Sequence, residues 1–384
     1  MTLLGLLGEI IRLAIRALGR ELRGKPSKER VAFATQAALS VGLSVALAYS
    51  LDLADTWWAA ISAFAVMQMD IAAALRRGVL RLSGTALGAA IGCILGPAIG
   101  DVPWLFVPVL GVIGAVSVYR AIGSDAGYAW ILGGITAVMV IFEGHLLPSL
   151  SSTAAFAGLR LAEVAVGTFS CMLVSGLCHL GTRHHRAPVG SAPESAAPSA
   201  GLIPPSPSVS SPAARALLAW EGGLAISVLA AFAYGLDLAG FAQAMVTVIA
   251  VLILPANLLA DRTPRPVFER MTHRFIGCLL AGVLGLALLP LTQGHALACM
   301  PVLLLGVWVG CHVQTGQEGS SYIGRQFTIA FIMVFVQDHH WSADPVPAMI
   351  RLSGILAGIL VLGAVMLMIR KLIPAAQGRT ASSP

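Results

Sequence analysis

Runs of about 20 apolar residues, each long enough to cross roughly 30 Å of hydrocarbon, recur along the whole chain between short polar breaks. Twelve are read, at 31–51, 56–74, 81–99, 103–119, 127–143, 154–179, 215–235, 240–259, 274–290, 296–314, 322–337 and 346–369. The stretch ahead of them has a different period. In MTLLGLLGEIIRLAIRALGRELRG, Arg12, Arg16, Arg20 and Arg23 recur at helical spacing opposite Leu3, Leu7, Ile11, Ile15 and Leu18. That pattern predicts an amphipathic helix on an anionic membrane face. Glu9 and Arg12 break its apolar run early and no basic stretch precedes it, so a cleaved signal peptide is not expected.

The breaks alternate in sign. Those near 52–55, 100–102, 143–153, 236–239, 291–295 and 338–345 hold no Lys or Arg, whereas the intervening ones hold Arg76, Arg77, Arg120, Arg183, Arg262 and Arg265 among others. The positive-inside rule then puts both termini in the cytoplasm. The chain also repeats itself. AYSLDLA at 48–54 returns as AYGLDLA at 233–239, Gln36 pairs with Glu221, Arg77 and Arg81 with Arg270 and Arg274, Tyr128 with Tyr322, and Arg160 with Arg351. Six spans per half is an even number, so the halves point the same way and form a parallel repeat. The predicted fold is an all-α integral membrane protein of about twelve transmembrane helices in two six-helix repeats. Its parts are an interfacial helix at 1–30, a first repeat at 31–180, a cytoplasmic linker at 181–213, a second repeat at 214–373 and a cytoplasmic tail at 374–384. The linker is rich in Pro, Ser, Ala and Gly without a helical period, as expected of a disordered segment.

Composition agrees with the pattern and narrows the chemistry. Charged residues are 11% and apolar ones 57% of the chain, against about 25% and 45–50% in soluble domains. The six cysteines lie in or beside apolar runs and form no CxxC pair, so they read as small core residues. His184 and His185 fall in the linker and His339 and His340 in an outward break, where solvation is the plain reading. No cluster of acids, histidines and nucleophiles surrounds a cofactor site, so neither an enzyme, a metal nor a cofactor is expected. Nothing in the composition calls for a nucleic-acid partner.

Within the spans a few residues carry possible function. Gly84, Gly88, Gly92, Gly96 and Gly100 recur every fourth residue, with a weaker counterpart in Gly277, Ala281 and Gly285. They clear a helix face for a second backbone, and the two halves are expected to pack there. Arg77 and Arg81 open the third span and Arg270 and Arg274 the ninth; Gln68, shortly before Arg77, and Gln326, in the eleventh span, are grouped with them. Arg160 and Arg351 are placed at the outer boundary, against the charge bias of the other outer segments. Together they could line an anion path with cations at both mouths; helix anchoring, or a local pair between Arg160 and Glu163, would explain the same residues. Glu163 and Glu221 are the acids inside spans, suited either to proton coupling or to structural hydrogen bonding. Trp57, Trp58, Trp104, Trp220 and Trp341 sit near span ends as interfacial anchors would.

Several of these residues carry a family resemblance. Trp58-Ala-Ala-Ile-Ser62, Gln68, Arg77-x-x-x-Arg81-x-x-Gly84-Thr85-x-x-Gly88, Arg160-Leu-Ala-Glu163-x-x-x-Gly167, Ser321-Tyr-Ile-Gly-Arg-Gln326 and Arg351-Leu-Ser-Gly354 resemble the fusaric acid resistance (FUSC) and aromatic acid exporter family. The chain looks like a short form lacking that family's large cytoplasmic domain. The resemblance implies inner-membrane efflux of aromatic or similarly lipophilic weak acids beside a periplasmic membrane-fusion adaptor; Glu221 and Glu163 add the proton motive force as the expected driver, and a homo-oligomer is the other partner considered. A passive organic-anion channel remains the alternative, since it needs only the arginine-lined mouths; a membrane-embedded enzyme is the third. The charge bias predicts that a lone cysteine at Ser191 stays unlabelled by an impermeant reagent in intact cells while one in the 291–295 loop is labelled. Labelling of the linker from outside would reverse the assigned topology.

Overall fold

In the computed structural model the described residues are 3–147, 149–183, 212–236, 241–254, 258, 263–337 and 341–380. They form helices and connections, with no strand among them. The helices are α1 (Leu3–Arg23), α2 (Lys28–Ser50), α3 (Thr56–Val66), α4 (Ile71–Ile99), α5 (Pro103–Gly123), α6 (Gly127–Leu146), α7 (Leu150–Arg183), α8 (Pro212–Leu236), α9 (Phe241–Leu252), α10 (Arg265–Thr292), α11 (Ala296–Gln314), α12 (Ser321–Phe335) and α13 (Val346–Thr380). Local chemistry sets several ends. Ser27 caps α2 by accepting from the Arg30 amide, and Pro103 stands at the start of α5, where its missing N–H costs nothing.

Among the described residues, nine helices are long and apolar enough to cross a membrane. The predicted spans at 56–74, 240–259 and 322–337 instead yield α3, α9 and α12, of 11, 12 and 15 residues. At 1.5 Å per residue these reach only about 16 to 23 Å. Hydropathy counts apolar side chains and is blind to the break: α3 ends because Met67 turns extended, at φ −54° and ψ 127°. A helix end inside hydrocarbon must be covered by protein. Accordingly, every residue of α3 except Ala65 is buried. Boundaries shift elsewhere too. α4 starts ten residues before the predicted third span and α10 nine before the ninth, so Arg81 and Arg274 lie well inside their helices and do not open them. Of the predicted linker and tail, 184–211 and 381–384 lie outside the described residues, as do Asp237, His184, His185, His339 and His340.

The described residues group into two compact units. One takes those within Met1–Thr85, Gly158–Ile203 and Glu269–Leu352, the other those within Ala86–Ala157, Pro204–Phe268 and Ser353–Pro384. In the first, α2 packs on α3 and α11, α11 on α12 and α3 on α12; in the second, α5 packs on α8 and α6, α8 on α9 and α6 on α9. Each unit thus joins the first two spans of one sequence half to the fourth and fifth of the other. Glycine makes these contacts close. A Cβ on Gly223 would meet the Gly111 carbonyl oxygen at 2.8 Å, so the α5 and α8 backbones touch, and one on Gly42 of α2 would meet Leu304 of α11 at 2.9 Å. The tyrosines of the repeated heptapeptide follow the same exchange. Tyr49 donates to the Gln337 carbonyl (3.1 Å) and lies 5.3 Å from the Trp341 ring, while Tyr234 stacks on His145 at 4.6 Å.

The glycine stripe of α4 receives a partner other than the one expected. Cβ atoms on Gly88 and Gly92 would meet the Gly133 oxygen at 2.3 Å and Val140 at 2.5 Å, and Gly96 lies on Ile141 and Gly144, all of α6. The approaching backbone therefore belongs to the same half of the chain, because two turns of α4 and α6 lie face to face within one unit. Gly277 and Gly285 similarly face α12, at Gln326 and Val334; Gly84 is buried on the same stripe. Gly92→Leu should consequently destabilise the protein by about 1–3 kcal/mol or more through overpacking. Gly176→Leu, at a helical glycine with open space around it, should stay within about 0.5 kcal/mol. Thermal unfolding in detergent compares them, and equal melting temperatures would remove the packing role.

Candidate functional site

Four arginines stand at matched positions in α4 and α10, two per helix and four residues apart. In each pair the first is half-buried and the second nearly sealed: Arg81 and Arg274 are each 3% exposed. On α10 the partners are clear. Arg270 lies over the Tyr322 ring at 4.7 Å, and Arg274 donates to the side-chain oxygen of Gln326. Tyr322 and Gln326 are themselves four apart on α12, so two matching faces meet rung by rung. Gly277 permits it, since a Cβ there would meet the Ile323 carbonyl at 2.7 Å and Gln326 at 2.9 Å. Arg274 is thus held by a neutral amide, a contact that orients the guanidinium and leaves its charge in place. Gln68, on the non-helical stretch after α3, turns its amide onto the Met67 carbonyl. Gln68 and Gln326 belong to the same unit as the four arginines.

Arg160 and Arg351 also come together, on the Trp57 ring. Their guanidinium carbons lie 5.9 and 4.7 Å from its centroid, and Arg160 is 5.2 Å from Trp58. Arg160 bridges two carboxylates: it donates to Glu163 at 3.0 Å and to Asp55 on the α2–α3 connection. The Asp55 amide in turn donates to the other Glu163 oxygen at 2.9 Å. Arg351 donates to the carbonyls of Met333 (2.9 Å) and Val336 (3.4 Å), where α12 ends and its last carbonyls need donors. Asp55 is the member that sequence reasoning missed; the available signal was an acid two residues before Trp57 in a connection without cations. Trp57 and Trp58, expected as interfacial anchors, are instead 6% and 8% exposed and wall this cluster, whereas Trp104 and Trp220 are 77% and 67% exposed.

In the second unit Glu221, at 0% exposure, accepts a hydrogen bond from Arg370 Nε on α13 at 2.9 Å through one oxygen. Its other oxygen is buried without a hydrogen-bond partner. Arg370 was not expected as a partner, because the two residues lie 149 apart in sequence. Among the described residues no three His, Cys, Asp or Glu side chains gather to hold a metal, and the six cysteines are free thiols, four of them buried.

The fold and these residues define a multi-pass helical membrane protein with buried cations on matched helices. Residues 30–195 match the Fusaric acid resistance protein family, which bears out the resemblance read from the first half of the sequence. Over 159 residues the chain is 26% identical to the uncharacterized transporter YdhK of Salmonella typhimurium, covering 41% of this chain and 23% of that protein. It is 27% identical over 162 residues to the p-hydroxybenzoic acid efflux pump subunit AaeB of Escherichia fergusonii, covering 39% and 24%. YdhK of Escherichia coli K12 is 25% identical over 137 residues, covering 35% and 20%. These matches thus span about a quarter or less of the relatives' own length. No solved structure matches the chain.

The two-carboxylate clamp on Arg160 makes a stability prediction. Arg160→Met strands two acids, one of them fully buried, and should cost about 3–5 kcal/mol. Adding Asp55→Asn and Glu163→Gln should recover most of that loss, because neutral amides need no counter-charge. Thermal unfolding of the single and triple variants checks it, and a triple variant as unstable as the single one would remove the charge-balance account.

Proposed function

We propose that the protein is a bacterial inner-membrane exporter of aromatic or similarly lipophilic weak organic acids, driven by the proton motive force. The observation that carries this reading is the pair of sealed arginines, Arg81 and Arg274, one turn deeper than Arg77 and Arg270 on matching helices. A carboxylic acid with a pKa of about 4 is only about one part in a thousand uncharged at neutral pH. Neutral acid leaks inward across lipid and its anion is trapped. A protein that removes it must draw an anion out of the cytoplasm, and cations fixed inside the hydrocarbon depth are what an anion entering from that side requires. The relative named as a p-hydroxybenzoic acid efflux pump subunit supports the substrate class.

In this reading both termini and the 181–213 linker are cytoplasmic and the chain is two parallel six-helix repeats; the recurrence of one set of helix pairings in both units supports the repeat. Arg160 and Arg351 form the exit. Glu221, with one oxygen on Arg370 and the other unmet, is the acid best suited to carry a proton. A periplasmic membrane-fusion adaptor and a homo-oligomer are the proposed partners. A passive anion channel is the second reading, favoured by the ion pairs that engage both in-span acids. A membrane potential of 100 mV, negative inside, is worth about 2.3 kcal/mol for a monovalent anion, enough to drive outward flux unaided.

Loss of the protein should sensitise cells to such acids, and Arg81→Ala or Arg274→Ala should reproduce the defect with the protein still in the membrane. In vesicles of both orientations, uptake no faster than in empty ones under imposed potentials and pH gradients would refute transport. Flux that follows the potential, ignores the pH gradient and survives Glu221→Gln would replace the exporter by the channel.

A further inference from the structure

Helix α1 has three faces where the sequence predicts two. Ile10, Ala14, Ala17 and Glu21 are 2–6% exposed and form the face packed in the first unit, where α1 meets α11. Leu4, Ile11, Ile15 and Leu22 form a second stripe and are 82%, 41%, 58% and 56% exposed. Arg12, Arg16 and Arg23 lie exposed on a third. At 3.6 residues per turn the open apolar stripe sits about 100° from the arginines and about 110° from the packed face. α1 has 21 residues, enough length to cross a bilayer, yet it is not among the apolar spans because its charges interrupt it. An uncovered apolar stripe flanked by arginines matches one chemistry: acyl chains beneath anionic headgroups.

The far end of α1 is locked to the connection that precedes α12. Glu21 accepts from Arg30 at 2.6 Å and from the Glu318 amide at 3.1 Å, and Arg20 pairs with the Glu318 carboxylate. Arg30 donates in addition to the His312 carbonyl at the end of α11. The fit is tight at Gly316, where a Cβ would lie 1.9 Å from the Glu21 carboxyl carbon. Two residues after this connection α12 presents Tyr322, and one turn later Gln326, the partners of Arg270 and Arg274.

We propose that α1 binds anionic lipid and, through the Glu21 lock on the 315–320 connection, sets the position of Tyr322 and Gln326 against Arg270 and Arg274. Lipid charge would thereby regulate the arginine entrance; only that last clause rests on the export reading.

The test is hydrogen–deuterium exchange of the full-length protein in discs of phosphatidylcholine and of phosphatidylglycerol. Phosphatidylglycerol should slow exchange over α1 and over residues 315–320, by about tenfold at α1. The combined variant Arg12→Gln, Arg16→Gln, Arg23→Gln should behave alike in both lipids. Gly316→Ala, whose methyl displaces the Glu21 carboxylate, should keep the lipid response of α1 and lose that of the connection. Equal exchange of α1 in both lipids would overturn the lipid site, as would protection that follows the number of copies per disc, which would assign the stripe to a second copy. A connection that still responds in Gly316→Ala would overturn the coupling. These readouts are independent of flux, so failure of all transport in vesicles would count against the export reading alone.

Discussion

A backbone amide that leaves its helix inside hydrocarbon finds no water, and most of this architecture answers that constraint. α3, α9 and α12 are too short to reach both faces of a bilayer, so their ends must be met by protein. Covering them requires neighbours at very short range, and close range requires positions without side chains. Gly277 against α12 and Gly167, where a Cβ would meet the Ala59 oxygen of α3 at 2.1 Å, fill that need. Once enclosed, a short helix offers what a full span cannot: carbonyls and polar side chains held at depth. Arg351 uses this at the end of α12, and Gln68 occupies the corresponding stretch after α3.

Charge placement follows the same economy. Each buried acid described above is matched to a guanidinium reached from a different part of the chain or a neighbouring turn. Arg274 donates to the side-chain amide oxygen of Gln326. A hydrogen bond to an amide fixes the direction of a guanidinium without itself adding a counter-charge.

Much of this was legible in the sequence, and the misses have physical causes. The helical class follows from apolar run length alone, and the matched arginines follow from the internal repeat. The break at Met67 is read through because Gln68 and Asp70 stand singly among apolar residues and leave the run's hydropathy high. The partner of the Gly88–Gly92–Gly96 face could not be read because a small-residue stripe states that a backbone approaches and not which one. The role of Asp55 depends on Arg160, 105 residues away, so no local pattern announces it. Glu221 was noticed for its depth, but the Arg370 contact required knowing that α8 and α13 share a unit.

The exchange of spans between the sequence halves has a consequence for biogenesis. Synthesis is vectorial, so α2 and α3 emerge long before α11 and α12, and α5 and α6 before α8 and α9. Neither core can close on the half of the chain that is already made. The glycine faces of α2 and α5, at Gly42 and Gly111, wait uncovered in lipid or on the insertion machinery until their counterparts arrive. A nick between α7 and α8 would accordingly release two fragments that each hold part of both cores: an obligate pair, stable together and orphaned apart.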